Sequence, residues 1–263
     1  MADPIVLRHD RGAVAQVTLN APGSLNALSD AMIAALQETF DNIAADDRIR
    51  VVVLSANGKA FCAGHDLKEM QAARQSPDGG TAAFADLFDR CTRLMLTIQR
   101  LPQPVIAQVH GVAVAAGCQL VATCDMAVAG QSARFGVNGV NIGLFCSTPM
   151  VALTRAVPPK KAMEMLVTGR LIEAAEAEAV GLITRAVDDT DLAEETSTLA
   201  ATVASKLGAA VAIGKRAFYD QLALDTEAAY QHTGEVMVRN LMQDATEEGI
   251  QAFIEKRPPN WTE

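Results

Sequence analysis

Positive charge is scarce in this chain: 22 lysines and arginines stand against 31 aspartates and glutamates, a formal net charge of −9 over 263 residues. The basic residues are scattered rather than blocked, so the surface has no general attraction for a phosphate backbone and nucleic acid is excluded as an expected partner. Long apolar runs are also missing. No uninterrupted stretch approaches the roughly 20 residues of a membrane-spanning helix, so no membrane partner is expected. The first residues, Met1 to Asp10, lack the basic patch and apolar core of a targeting segment, which gives the expectation of a complete, cytoplasmic protein. The five cysteines, Cys62, Cys91, Cys118, Cys124 and Cys146, have no C-x-x-C spacing and mostly sit in apolar runs. They read as reduced core residues, and with no histidine flanking them no metal site is expected.

What the chain does have is hydrophobic residues, half of the total, enough for one large core or a core with an appendage. Ala13 to Leu19 predicts a strand that Asn20-Ala-Pro-Gly terminates with turn chemistry. Ser29-Asp30 is an N-cap signal, and Met32, Ile33, Leu36, Phe40 and Ile43 recur at helical spacing as far as Asp46-Asp47. Val51 to Leu54 is a short β-branched run, hence a buried strand. A helix over Ala82 to Gln99, a strand at Val105 to Val109, a small-residue segment at Gly111 to Gly117, a helix over Gly117 to Ala122 and a strand at Met126 to Ala129 follow. Alternation of short apolar strands with helices predicts an α/β fold with covered sheets. From Asp191 onward the pattern is helical, ending with a helix over Thr246 to Lys256 before Arg257-Pro-Pro. Residues 1–200 therefore read as the core and 201–263 as a helical region. Its apolar residues, among them Val211, Ile213, Phe218, Leu222, Val236, Val238 and Leu241, exceed what a short appendage covers alone.

Two segments carry candidate chemistry. In the first, Gly58-Lys-Ala-Phe-Cys-Ala-Gly-His-Asp-Leu-Lys-Glu-Met70, a strand leaves through small residues and a helix is expected to open near His65. The first N–H groups of a helix lack acceptors and favour negative charge. The second, His110-Gly-Val-Ala-Val-Ala-Ala-Gly-Cys-Gln119, repeats the arrangement, with a helix opening near Gly117. Small side chains let a ligand approach the backbone, and two N–H donors aimed at one oxygen make an oxyanion hole.

The residues around these segments resemble those of the crotonase (enoyl-CoA hydratase/isomerase) family. They are Asn20-x-Pro22 with Leu25-Asn-Ala-Leu28, Lys59 to Lys68, Val109 to Leu120, Cys124-Asp125, Phe135-Gly136, Ala162 to Gly169, Gly181-Leu-Ile and Phe253-Ile-Glu-Lys-Arg257, in order over essentially the whole chain. The resemblance implies a crotonase-like α/β spiral of repeated ββα units with a C-terminal helical trimerisation region, assembled as a homotrimer or a hexamer of two trimers. It implies an acyl-CoA thioester as substrate, with coenzyme A as part of that substrate and no separate cofactor. The backbone N–H groups of His65 and Ala116 then hold the thioester oxygen. Leu25, Ala27, Ala63, Gly64, Asp66 and Leu67 lie along the CoA channel, Ala115 and Leu144 join the substrate site, and Phe253 and Lys256 reach a neighbour's adenine end.

The resemblance breaks at the acid–base groups. Hydration of an enoyl thioester needs a base for the attacking water and an acid for the α-carbon. Where family hydratases supply two glutamates, this chain has Gln119 and Gly139. An amide has no proton-accepting equilibrium near neutrality, and glycine has no side chain. Efficient hydration is therefore not expected, and restoring glutamate at both positions is expected to raise it by orders of magnitude. The readings are an enoyl-CoA hydratase or isomerase of fatty-acid metabolism, a different crotonase reaction such as thioester hydrolysis, decarboxylation or dehalogenation, and a non-catalytic acyl-CoA binder. An acyl pocket is expected from Ala82 to Leu96 and Gly139 to Met150, with Asn138, Asn141, Cys146 and Ser147 as replacement groups. Asp66 reads as a local cap, and His65 as a candidate base. Asp125 reads as a structural acceptor, and His9, His110 and His232 as ordinary residues.

Overall fold

A computed structural model describes residues 3–261. The chain opens with an antiparallel pair, β1 (Val6–Arg11) and β2 (Val14–Leu19). Strand β1 escapes sequence reading because VLRHDR lies half-exposed at the edge of the sheet and shows no apolar run. After β2 comes a short 3₁₀ turn over Pro22–Ser24 and then helix α1 (Asp30–Ala44), whose first turn is capped by the Ser29 hydroxyl accepting from Met32 N.

The same layout then repeats. Strand β3 (Val51–Ala56) is followed by an extended stretch around Cys62 and by helix α2 (Leu67–Ala73), after which the long helix α3 (Thr81–Arg100) returns the chain. Strand β4 (Val105–Val109) is followed by β5 (Val112–Val114) and α4 (Ala116–Thr123). Strand β6 (Met126–Gly130) is followed by β7 (Arg134–Gly136), a 3₁₀ turn over Asn138–Ile142 and α5 (Ser147–Ala156). The first strand of each unit joins one large sheet and the second extended segment joins another layer.

That second layer is built by small parallel contacts between successive units: Leu28 with His65, Cys62 with Ala113, and β5 with β7. Helix α6 (Pro159–Thr168), β8 (Ile172–Glu173), α7 (Ala174–Ala179) and β9 (Arg185–Val187) complete the core. The large sheet has six strands in the order β1-β2-β3-β4-β6-β9, parallel except for β1; β5, β7 and β8 form the small one. This is the expected spiral of ββα units.

Strand β3 reads as a continuous apolar run because both of its faces are covered. One face meets the main core with Leu36, Phe40, Leu94 and Ile98. The other meets helix α8 (Leu192–Ala204), whose Leu192 and Ala200 pack with Val51, Val53, Ile106 and Val128. Position 200, where the sequence divides core from tail, lies inside this helix.

Helices α9 (Gly208–Gln221), α10 (Thr226–Leu241) and α11 (Asp244–Ile254) follow. Helix α9 is tied to the core by Lys215, whose Nζ donates to Ile98 O (2.8 Å), Gln103 O (3.0 Å) and Asp125 Oδ2 (2.7 Å). Tyr219 OH donates to the other Asp125 oxygen at 2.9 Å, and Val105 N to Oδ2 at 2.7 Å, so Asp125 is indeed a structural acceptor. Farther out the helices leave Phe218, Leu222, Met237, Val238, Leu241, Phe253 and Ile254 exposed. Among the described residues no single helix is long and apolar enough to cross a membrane.

Candidate active site

The two candidate segments meet because their chains run side by side. Val114 N donates to Cys62 O at 3.0 Å and Cys62 N to Val112 O at 3.1 Å. The pairing of Cys62 with Ala113, carried forward three residues, sets His65 against Ala116. Two glycines permit this approach. A Cβ on Gly117 would stand 2.2 Å from Cys62 O, and one on Gly64, whose φ is +90°, would stand 2.9 Å from Ala115 Cβ and 3.4 Å from Ala116 N.

The direction of each amide follows from the planar trans peptide, in which C=O and the next N–H point opposite ways. Gly64 O accepts from Leu28 N at 2.7 Å, so the His65 N–H faces away from Leu28. Ala115 O accepts from Gln119 N at 3.1 Å inside the first turn of α4, so the Ala116 N–H points out of the helix end. Neither N–H has an acceptor among the described residues. The helix expected near His65 begins two residues later, at Leu67, capped by Asp66, whose Oδ1 accepts from Lys68 N and Glu69 N. The His65 amide is free because an extended residue bridged on one side turns it to the other. The helix near Gly117 opens one residue earlier, at Ala116.

Ala115 carries the turn with φ 49° and ψ −119°, a left-handed conformation that glycine adopts more readily. Across from it the Leu25–Leu28 loop, also at positive φ for Leu25 and Asn26, is held by the buried Asn26 side chain. Its Nδ2 donates to Asn57 O (2.9 Å) and Ala60 O (2.8 Å), and its Oδ1 accepts from Ala21 N (2.8 Å). This clamp is visible in sequence only as part of the Leu25-Asn-Ala-Leu28 motif.

Both amide-bearing residues line a 390 Å³ cavity. Of the residues expected at the site, Ala63, Leu67, Ala115, Gly139 and Leu144 line it too, with Asn138, Asn141, Cys146 and Ser147. Gln119 does not line it; it lies one helical turn beyond Ala116, 5 % exposed, its Oε1 without a hydrogen-bond partner. Leu25, Ala27, Gly64 and Asp66 do not line it, and neither do Phe253, 85 % exposed near the end of α11, or Lys256 just beyond that helix. The stretches expected to form the acyl pocket, Ala82 to Leu96 and Gly139 to Met150, contribute Phe88 and, among others, Ile142, Phe145 and Pro149 to the apolar wall, while Met70 and Val114 join it from outside those stretches. Ser147-Thr-Pro is the missed start signal of α5, since proline is tolerated in a first helical turn. A larger cleft of 690 Å³ opens beneath α9 and contains neither amide.

The lining residues include no aspartate, glutamate, lysine or arginine. Gly139 is more than a lost side chain. A Cβ there would stand 2.3 Å from Leu144 O and 2.8 Å from Cys146 Sγ, and Gly139 N donates to that sulfur at 3.3 Å. The 144–146 segment fills the space a side chain at 139 requires, so the expected rescue of hydration by glutamates at 119 and 139 needs that segment to shift. Burial pushes the Cys146 thiol up, with the Gly139 N–H opposing, and pushes Cys62, Cys91 and Cys118 up to about 12; all five cysteines are free and buried. Burial pulls the His65 imidazole down from its ordinary value, with the Leu28 carbonyl and Asp30 opposing.

With two unsatisfied amides on one wall of an apolar cavity and ββα units arranged in a spiral, the comparisons with known proteins are specific. The sequence profile of the family described as "Enoyl-CoA hydratase/isomerase" matches residues 9–263. This chain belongs to the enoyl-CoA hydratase/isomerase family. It is 45 % identical over 259 residues to "Enoyl-CoA hydratase domain-containing protein 3, mitochondrial" of Xenopus laevis, covering 98 % of this chain and 86 % of the relative. A crystal structure of an enoyl-CoA hydratase from Mycobacterium smegmatis superposes with a TM-score of 0.94 at 52 % identity, covering 98 % and 99 % of the two chains. The human enoyl-CoA hydratase domain-containing protein 3 superposes at 0.93 with 43 % identity, covering 98 % and 100 %. These matches correct the expected cytoplasmic location. The relatives from Xenopus laevis, Homo sapiens and Rattus norvegicus are all named mitochondrial, and the expectation rested on ten residues that carry little information about compartment.

Proposed function

We propose that this enoyl-CoA hydratase/isomerase family member binds an acyl-CoA thioester with its oxygen on the His65 and Ala116 amides. The acyl chain occupies the cavity closed by Phe88 and the 138–149 segment. The observation that carries this reading is the pair of free N–H groups on residues that line one apolar cavity with no charged residue. Preorganised donors of this kind stabilise negative charge as it develops on a thioester oxygen. Leu25, Ala27, Gly64 and Asp66 then flank the CoA channel, with Phe253 and Lys256 serving a neighbouring subunit's adenine end. The exposed apolar residues of α9 to α11 support assembly as a homotrimer or a dimer of trimers. Coenzyme A enters as part of the substrate, and the reaction needs no further cofactor or metal.

Classical hydration is the weak function of this site. Each missing acid–base group is typically worth about 10²–10⁴-fold in rate. The test is crotonyl-CoA hydration by the purified protein, followed by loss of the enoyl-thioester absorbance, with binding measured by calorimetry. Binding with little or no hydration is the expected result and directs attention to other enolate chemistry or to a binding role. Hydratase-like turnover would show that other side chains have replaced the glutamates. Absence of acyl-CoA binding would overturn the proposal. Light scattering at micromolar concentration tests the assembly, where a monomer would contradict the trimer.

A further inference from the structure

Four large apolar side chains of the amide-bearing cavity are left open to solvent. Leu67, at the start of α2, and Ile142, Leu144 and Phe145, between the end of the 3₁₀ turn and the start of α5, are between 41 % and 63 % exposed. All four line the cavity that His65 and Ala116 also line. Apolar surface gathered at one place, rather than scattered singly, marks where something apolar binds. Met70 and Phe88, half-buried, and Pro149, buried, add to the same lining.

Full charge is kept off this surface. None of the lining residues is an aspartate, glutamate, lysine or arginine, and burial holds His65 below its ordinary 6.5, so its imidazole is uncharged at neutral pH. The charged groups of the neighbouring elements are engaged elsewhere. Asp66 caps Lys68 N and Glu69 N, Glu69 accepts from Asp30 N at 2.8 Å, and Arg90 donates to Asp30 and Asp86 at 2.6 Å each. Arg74 lies over the Phe84 ring at 5.5 Å, and Lys68 is exposed on α2. Of the neutral polar side chains in the lining, Asn141 donates to Gly169 O at 3.4 Å and Ser147 to Phe145 O at 3.5 Å. A carboxylate placed here would give up water for apolar neighbours with no cation to pair with.

Volume bounds the length of what fits. A dry apolar cavity of about 150 Å³ takes benzene, so 390 Å³ has room for roughly 15 carbons at the same packing. The thioester head and the open mouth claim part of that space, which leaves about 8–12 carbons for a chain. We infer that the site selects thioesters whose acyl chain is uncharged and of this medium length, with Leu67, Ile142, Leu144 and Phe145 setting the selectivity. The inference rests on the acyl-CoA reading, because the free amides fix the head of the occupant and the exposed apolar residues take its tail. It sets decarboxylation aside, since the substrate of that reaction carries a carboxylate on the acyl group.

The test is calorimetry of the full chain with butyryl-, hexanoyl-, octanoyl- and decanoyl-CoA, and with succinyl-CoA, whose acyl group matches butyryl in carbon number but ends in a carboxylate. The CoA moiety is common to all, so differences report the acyl site alone. Affinity is expected to rise about two- to fourfold for each added CH₂ through decanoyl-CoA. Succinyl-CoA is expected to bind on the order of 100-fold more weakly than butyryl-CoA. In Phe145→Ser and Leu67→Ser the ratio of decanoyl to butyryl affinity is expected to fall about 3- to 10-fold. Decanoyl-CoA bound no tighter than butyryl-CoA overturns the inference and leaves the acyl-CoA reading intact; if light scattering then shows an assembled protein, a second copy of the chain covers these residues instead. Equal affinity for succinyl-CoA and butyryl-CoA also overturns it, as does an undiminished ratio in both folded variants. Absence of binding by every thioester would instead overturn the acyl-CoA reading itself. Should the variants fail to fold, the wild-type series and the succinyl comparison decide.

Discussion

Substituting Gly139→Ala isolates the steric side of the broken glutamate pattern. Gly139 has no positive φ, so the backbone itself tolerates alanine and the cost is purely one of space. The new methyl would lie 2.3 Å from Leu144 O and 2.8 Å from Cys146 Sγ, both well inside van der Waals contact. The sulfur can move by rotating its side chain, but the carbonyl moves only with its backbone. That motion strains the hydrogen bond from Leu144 N to Gly139 O, 3.0 Å long. Overpacking of this kind typically costs about 1–3 kcal/mol and a weakened hydrogen bond about 0.5–1.5 kcal/mol, so a loss of about 2 kcal/mol is expected. For a chain of this size that corresponds to a fall in Tm of roughly 4–8 °C. Urea denaturation of both proteins at equal concentration measures it, and calorimetry with an acyl-CoA should show weakened binding as the 144–146 wall shifts. Stability within about 0.5 kcal/mol of wild type would refute the reasoning. It would mean that the wall yields freely and that position 139 could accept glutamate after all.

Further predictions follow from other parts of the molecule. Ala115→Gly should stabilise by about 1 kcal/mol in urea denaturation, because relief of the left-handed strain outweighs glycine's added unfolded-state entropy. Lys215→Met should destabilise by about 3 kcal/mol, leaving the Asp125 carboxylate without its cation and freeing α9; near-UV circular dichroism during the melt should show the loosened Tyr219. Arg170 and then Lys161 hold Glu176 down to about 2 from its ordinary 4.5. A depressed carboxylate contributes stability that is fully present above about pH 4.5 and lost as pH falls toward about 2, so Glu176→Gln should flatten part of the acid limb of a stability profile in that window.

The helices and strands with one clear signal were legible in the sequence. Ser29 caps α1 as its position suggests, and VVVL is the buried strand its β-branched run implies. Strand β5 was hidden because Val112 to Val114 sits inside a stretch of small residues with no strand-length run. Helix α5 was hidden because the turn before it is built from Asn, Gly and exposed apolar residues that mimic a loop. The resemblance pointed to His65 and Ala116, yet the reason their amides are free lies in what the neighbouring carbonyls bind, Leu28 N and Gln119 N. Backbone direction of this kind is carried by no side-chain identity, so composition and spacing could not have shown it.

The same distinction separates the two halves of the site's chemistry. In the proposed site, charge stabilisation would rest on backbone groups, which tolerate alanine and histidine side chains provided that Gly64 and Gly117 let the chains approach. Proton transfer would rest on side chains, and the two positions proposed for it hold an amide with an unpaired oxygen, Gln119, and a glycine whose space is already filled, Gly139. The backbone half can therefore persist while the side-chain half is replaced.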